Sequence, residues 1–182
     1  AAEKDVLFRQ GDALQSASDV KTVVFDKTGT LTVGRPTVSK VMAVGEMSDA
    51  RVLSLAAAVE AFSEHPIASA IARSVEKVPE AQGFRTTTGR GVAAGVGGNE
   101  VLVGNAGFLE AAGIEVGALA HVAGEIASDG DTVVFVGCAG VLAGAIAVAD
   151  PVRAEAVDAV AALKAKGIAV AMVTGDAEAS AQ

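Results

Sequence analysis

Two short apolar runs near opposite ends of the chain, Val23-Val24-Phe25 and Ile168-Ala169-Val170-Ala171-Met172-Val173, constrain its architecture more than anything between them. Each reads as a buried β-strand, and each runs into a polar loop: Asp26-Lys27-Thr28-Gly29-Thr30-Leu31-Thr32 after the first, Thr174-Gly175-Asp176 after the second. The 117 residues between Thr32 and Asp150 carry their own succession of helical and strand patterns. Two strands of one parallel sheet, with a large α/β unit inserted between them, explain this arrangement. A parallel sheet normally has more strands and helices on both faces, so the pattern also suggests a truncated sheet.

The insert is legible in outline. Pro36 to Val44 alternates like a strand, and Ser48 or Asp49 caps a helix with Val52, Leu55, Ala56 and Val59 on its apolar positions. Ser63-Glu64-His65-Pro66 interrupts it, and a second helix begins with Pro66 in its first turn. Phe84 to Thr88, Val92 to Val96 and Val101 to Val103 read as strands joined by glycine turns, followed by helices near 105–112 and 117–129. From Val133 to Ala149 the chain carries no charge. That length is at the short edge of a membrane span, but three glycines interrupt it. A buried hairpin turning at Gly137-Cys138-Ala139-Gly140 fits better. A helix over 155–166 ends near Gly167. At the other end, residues 5–19 read as a lead-in, with Gly11-Asp12-Ala13-Leu14 opening a helical turn.

Composition narrows the rest. Hydrophobic residues make up 51% of the 182, yet aromatics are only six Phe, so the core must be built from small aliphatic side chains. A net charge of −8 argues against a general nucleic-acid binder, which needs a basic face for phosphates. The single cysteine, Cys138, excludes an internal disulfide, and its apolar neighbours suggest a small buried hydrophobe. No signal peptide is evident in the charged start Ala1-Ala2-Glu3-Lys4-Asp5.

Chemistry concentrates at Asp26. Ligands in open α/β sheets gather outside the carboxyl ends of the strands, and a carboxylate there can attack a phosphoryl group to form an acyl phosphate. Lys27, Thr28 and the amides of the turn can hold phosphoryl oxygens, and Gly29 can take a positive φ. An imidazole held before a proline at a helix start, as at His65, can stack on or hydrogen-bond to a base. Gly89 and Gly91 flank Arg90 between two strands, and a glycine there lets backbone approach a flat base or phosphates. By itself this is a hairpin turn. His121 reads as a helix-surface residue, and Asp129-Gly130-Asp131 as a turn.

Taken in order, these strings resemble the P-type ATPases, and within them the heavy-metal-transporting branch. Asp26-Lys27-Thr28-Gly29-Thr30-Leu31-Thr32 is similar to the phosphorylation motif, and Ser63-Glu64-His65-Pro66 to the His-Pro motif. Gly89-Arg90-Gly91 followed by Val103-Gly104-Asn105 is similar to the glycine motif. Asp150-Pro151-Val152-Arg153 and Thr174-Gly175-Asp176 resemble the second hinge and the phosphate-contacting loop. The resemblance covers nearly the whole chain. It implies an α/β fold: a mainly antiparallel-sheet nucleotide-binding domain flanked by helices, inserted into a truncated haloacid-dehalogenase-like parallel-sheet domain. The implied division is 1–33 and 150–182 for the phosphorylation domain and 34–149 for the nucleotide-binding domain.

The same resemblance implies the site. Asp26 is the nucleophile, Lys27, Thr174, Gly175 and Asp176 contact the phosphoryl group, and Asp26 with the Thr28 backbone binds Mg²⁺. Glu60, His65, Gly89, Gly91, Gly104, Asp150 and Arg153 serve ATP, with Glu60 accepting from the adenine amino group. The partners implied are ATP, the other domains of the pump, and a metal ion, copper(I) foremost, bound in membrane helices outside this sequence. The chain would thus be a cytoplasmic part of an integral membrane protein. A family motif supplying further Mg²⁺ ligands, Gly-Asp-Gly-x-Asn-Asp, is absent, so the expectation is nucleotide binding without efficient phosphoryl transfer. Two alternatives stand beside this one. A haloacid-dehalogenase-type phosphatase would usually carry a general-acid aspartate where Thr28 stands. A pure ATP-binding module without turnover is the other.

Overall fold

A computed structural model of the chain describes residues 19–128 and 130–173. The lead-in before residue 19, Asp129 and the Thr174-Gly175-Asp176 loop lie outside the described residues. Strand β1 (Thr22–Asp26) runs into one π-helical turn over Lys27–Leu31, in which Gly29 takes φ +76°. The chain then crosses into β2 (Thr37–Ala43), α1 (Asp49–Glu60), α2 (Pro66–Arg73), β3 (Ala81–Thr87), β4 (Gly91–Val96) and β5 (Asn99–Gly104). Helices α3 (Ala106–Ala111) and α4 (Gly117–Ser128) follow, then β6 (Thr132–Cys138) and β7 (Val141–Ala149). It returns through α5 (Ala154–Ala165) and β8 (Ala169–Val173).

These strands form two sheets. One is the parallel pair β1-β8, in register from Thr22 opposite Ala169 to Asp26 opposite Val173. The other is six-stranded and antiparallel, in the order β2-β7-β6-β5-β4-β3. Strand alternation divides its residues between two cores. Val92, Ala94, Val96, Val101 and Val103 pack on one face with Val52, Leu55 and Val59 of α1 and Ile71 of α2. Ala93, Leu102, Phe135 and Ala145 pack on the other with Leu109 of α3 and Ala123 of α4. Both cores are aliphatic and alanine-rich, as the composition requires.

Local chemistry sets several boundaries. The Ser48 side chain accepts from the Arg51 amide to start α1, Pro66 occupies the first turn of α2, and Gly167 takes φ +73° after α5. The hairpin expected over 132–149 is present, but its turn is tighter than the sequence suggested. Only Ala139 (φ 52°) and Gly140 (φ 79°) lie between the strands, both left-handed as a two-residue hairpin turn demands. Gly137 and Cys138 belong to β6. Gly137 is small for a different reason: the Ile114 side chain would stand 2.6 Å from any Cβ there. Cys138 is buried in the first core. No helix among the described residues is long and apolar enough to cross a membrane.

Candidate active site

Asp26 stands exposed at the carboxyl end of β1, directly beside the end of β8. The following turn is held by Thr32. Its hydroxyl accepts from the Gly29 amide at 3.0 Å, lies 3.2 Å from the Lys27 carbonyl, and donates to Asp150 Oδ2 at 2.6 Å. Thr32 is only 3% exposed, so these bonds form away from competing water. The other Asp150 oxygen accepts from the amides of Gly34 (3.0 Å) and Arg35 (3.1 Å). Arg153 reaches back to the Thr32 carbonyl through Nε at 2.8 Å and to the Val33 carbonyl at 3.3 Å. Backbone bonds from Val33 to Pro151 and from Arg153 to Leu31 complete the junction, with Thr32 and Val152 bridged antiparallel. The two crossings between the sheets are therefore stitched together. Asp150 and Arg153 hold this junction with the charges that the sequence reading assigned to nucleotide.

A cleft of about 690 Å³ opens beside the junction. Lys27, Leu31, Thr32 and Asp150 line it from the β1 side, and His65, Pro66, Ile67 and Asp131 from the six-stranded unit. Lys27, His65 and Asp150 are thus brought to one space from segments far apart in sequence. Asp131 is held there by the Ser39 hydroxyl.

The other predicted residues among those described lie outside that lining. Glu60 ends α1 at 7% exposure, and burial pushes its carboxyl pKa up from 4.5 to about 7. Among the described residues no charged neighbour offsets that desolvation. Gly91 and Gly104 face each other across β4 and β5. A Cβ on Gly104 would lie 2.4 Å from the Arg90 carbonyl oxygen and 2.8 Å from the Phe108 ring; one on Gly91 would lie 2.5 Å from that ring. Both glycines therefore seat Phe108 of α3. Gly89, at φ +69°, faces open space instead. Asn105 ties this turn to α3: its Oδ1 accepts from the Phe108 amide at 2.9 Å and its Nδ2 donates to the Gly89 carbonyl at 3.3 Å. Thr32 as a hub and Phe108 as a wedge escaped the sequence reading, since both roles depend on long-range partners. The Asn105 cap was legible from its place before α3.

The donor chemistry suits the groups the motifs imply. Among the described residues no cluster of three His, Cys, Asp or Glu exists, so no closed metal cage is built. Magnesium needs less, one or two carboxylates plus substrate phosphates and retained waters. The exposed Asp26 carboxylate and the backbone carbonyls of its loop meet that need. A buried carboxyl without a charged partner, as at Glu60, suits an amine-bearing base.

Comparison with known proteins decides the family. Residues 20–182 match the haloacid dehalogenase-like hydrolase model. The chain belongs to the haloacid dehalogenase-like hydrolase family. Within it, the similar proteins are heavy-metal P-type ATPases. A copper-transporting P-type ATPase of Rhizobium leguminosarum bv. viciae is 40% identical over 185 residues, covering 100% of this chain and 22% of that relative. The chain thus spans about a fifth of the length of the curated relatives it matches. A zinc-transporting PIB-type ATPase in the E2.Pi state superposes with a TM-score of 0.77 at 38% identity, covering 100% of this chain and 30% of the other. The N-domain of HMA8, a copper-transporting P-type ATPase, matches with a TM-score of 0.53 at 36% identity, over 62% of this chain and 99% of its own. The mixed architecture of this haloacid dehalogenase-like chain, with its antiparallel and parallel sheets, is that of P-type ATPase catalytic domains.

Proposed function

We propose that this chain is the ATP-binding and phosphorylation region of a membrane-bound heavy-metal pump, lying on the cytoplasmic side, with copper(I) as the first candidate ion. The observation that carries this reading is the cleft lined both by Lys27 from the Asp26 loop and by His65 from the six-stranded unit. Residues 34–149 would grip the nucleotide, and residues 1–33 with 150–182 would receive the phosphoryl group. The ion rests on the relatives alone, which include copper and zinc transporters.

In this reading Glu60 accepts from the adenine amino group, which distinguishes adenine from a base carrying a carbonyl there. His65 and the Gly89–Gly91 turn position the base and sugar. An Asp26 carboxylate oxygen attacks the γ-phosphorus, the bond to the β-γ bridging oxygen breaks, and ADP departs with that electron pair. Mg²⁺ would supply charge neutralisation between the carboxylate and the phosphates. Lys27 supports the same oxygens, and Thr174, Gly175 and Asp176 are assigned to them by motif. Other domains of the pump would couple aspartyl-phosphate turnover to ion movement.

Calorimetry with Mg·ATP on the wild-type chain and on His65→Ala tests the grip. Saturable one-site binding that weakens at least tenfold in the variant is expected. Wild-type protein that takes up no heat of binding at millimolar ATP would overturn the reading. Incubation with γ-labelled ATP and then hydroxylamine probes Asp26 separately, and Asp26→Asn supplies the blank.

A further inference from the structure

The two histidines of this chain turn the same ring atom toward opposite chemistry. His121, on α4, has Nδ1 3.5 Å from Glu125 Oε1, an acceptor one turn along. His65 has Nδ1 3.2 Å from the backbone amide of Ile67, a donor. That bond is the N-cap of α2. Pro66 has no N–H to satisfy, so the Ile67 amide is the first orphan donor of the helix, and the imidazole takes the place usually filled by Ser, Asp or Asn. The cap residue is itself held from both sides. Its amide donates to Ser63 Oγ at 3.4 Å, and its carbonyl accepts from the Ser69 amide at 3.0 Å.

We infer that the α2 cap selects the Nε2–H tautomer of the His65 imidazole, so that the nitrogen left over by the cap is a hydrogen-bond donor. A neutral imidazole has one donor nitrogen and one acceptor, and the free ring exchanges between the two forms. Accepting from Ile67 commits the lone pair of Nδ1, which leaves the proton on Nε2. His65 is exposed and lines the cleft, and no hydrogen bond among the described residues occupies its Nε2. The inference rests on the nucleotide reading for what lies opposite. On that reading it divides labour: Glu60 supplies the acceptor, and His65 supplies a donor for a purine ring nitrogen or a phosphate oxygen. It also gives the Ser-x-His-Pro order a local cause, since the proline that starts the helix removes the one amide the ring could not reach.

The test begins without ligand. In ¹⁵N-labelled chain at pH 8, long-range proton–nitrogen spectra should place the His65 proton on Nε2 alone, and the Ile67 amide should exchange slowly. His65→Asn keeps a capping oxygen and should preserve both the slow Ile67 exchange and the melting temperature. His65→Ala should lose both. A proton on Nδ1 of His65, or an Ile67 amide that exchanges equally fast in all three proteins, overturns the inference. Titration then separates it from the functional reading. ATP should bind His65→Asn about tenfold more weakly than wild type, the ratio that one hydrogen bond of about 1.4 kcal/mol represents. An equal loss for adenosine identifies a purine nitrogen as the acceptor, and a loss confined to ATP identifies a phosphate oxygen. Unchanged ATP affinity in His65→Asn overturns the donor role. Wild-type chain that shows the Nε2 proton yet binds neither ligand refutes the nucleotide reading and leaves the cap standing.

Discussion

The six-stranded unit and the β1-β8 pair are built from the same small aliphatic residues, yet they bury them very differently. Val52, Leu55, Val59, Val101, Val103 and Ile146 in the six-stranded unit are 0% exposed, packed between sheet and helices. Around the parallel pair, Val24, Val157 and Val173 remain 58–60% exposed, and β1 and β8 alternate between exposed and half-buried along their whole length. In the first unit Glu60, Gly91 and Gly104 are set by packing around them. The second pairs Asp26 opposite Val173 and holds the turn that follows it through hydrogen bonds at the junction. Stability in this chain should therefore be read from one unit, and the placement of Asp26 from the other.

Truncating a side chain in each unit tests that contrast most strongly. Leu55→Ala removes a fully buried side chain from the first core and should cost about 2–5 kcal/mol in urea unfolding. Val157→Ala on α5 should change stability by less than about 0.5 kcal/mol, because its side chain already faces solvent. Comparable losses from both would show that the parallel pair owns a core as consequential as the other.

Glu60 sharpens the contrast from inside the packed unit. Its pKa is raised in the folded chain, from 4.5 to about 7, because burial disfavours the charged form. A raised folded-state value means that the stability associated with the protonated form is intact below pH 4.5 and is lost as pH rises toward 7. The loss amounts to at most about 3 kcal/mol. Glu60→Gln, which never ionises, should match wild type at pH 4.5 and exceed it above pH 7. Parallel unfolding midpoints for the two proteins across that window would show that the carboxyl is solvated. The same burial makes the ionised Glu60 carboxylate costly to the fold at neutral pH.

The sequence made the local features of both units readable and hid the distant ones. Ser48, Pro66, Asn105 and Gly167 act within three or four residues of themselves, so their caps and turns follow from spacing alone. Val92 to Val96 and Val101 to Val103 likewise read as strands from their apolar runs and the glycine turns between them. Strand order did not follow, because β2 pairs with β7, more than a hundred residues away, and only the closed tertiary structure decides that pairing. The glycine pair was visible as glycine, but the ring it seats was not, since Phe108 reaches Gly91 and Gly104 through the start of α3. Thr32 could be placed in its motif, while its partner Asp150 lies 118 residues further on.

That pair offers the finest test of the junction. Thr32→Val preserves shape and removes the hydroxyl, leaving the Gly29 amide without its acceptor and Asp150 Oδ2 without its donor. Both groups are part-buried, so the expected cost is about 1–3 kcal/mol, concentrated at the junction and not spread through the six-stranded core. Hydrogen exchange should accelerate at the amides of Gly29, Gly34 and Arg35, and those of β4 and β5 should keep their protection. Acceleration in β4 and β5 as well would mean that the two units unfold as one. Unchanged exchange at Gly34 and Arg35 would mean that Asp150 holds the crossing without Thr32. The Asp26 turn would then owe its shape to Gly29 and its own backbone.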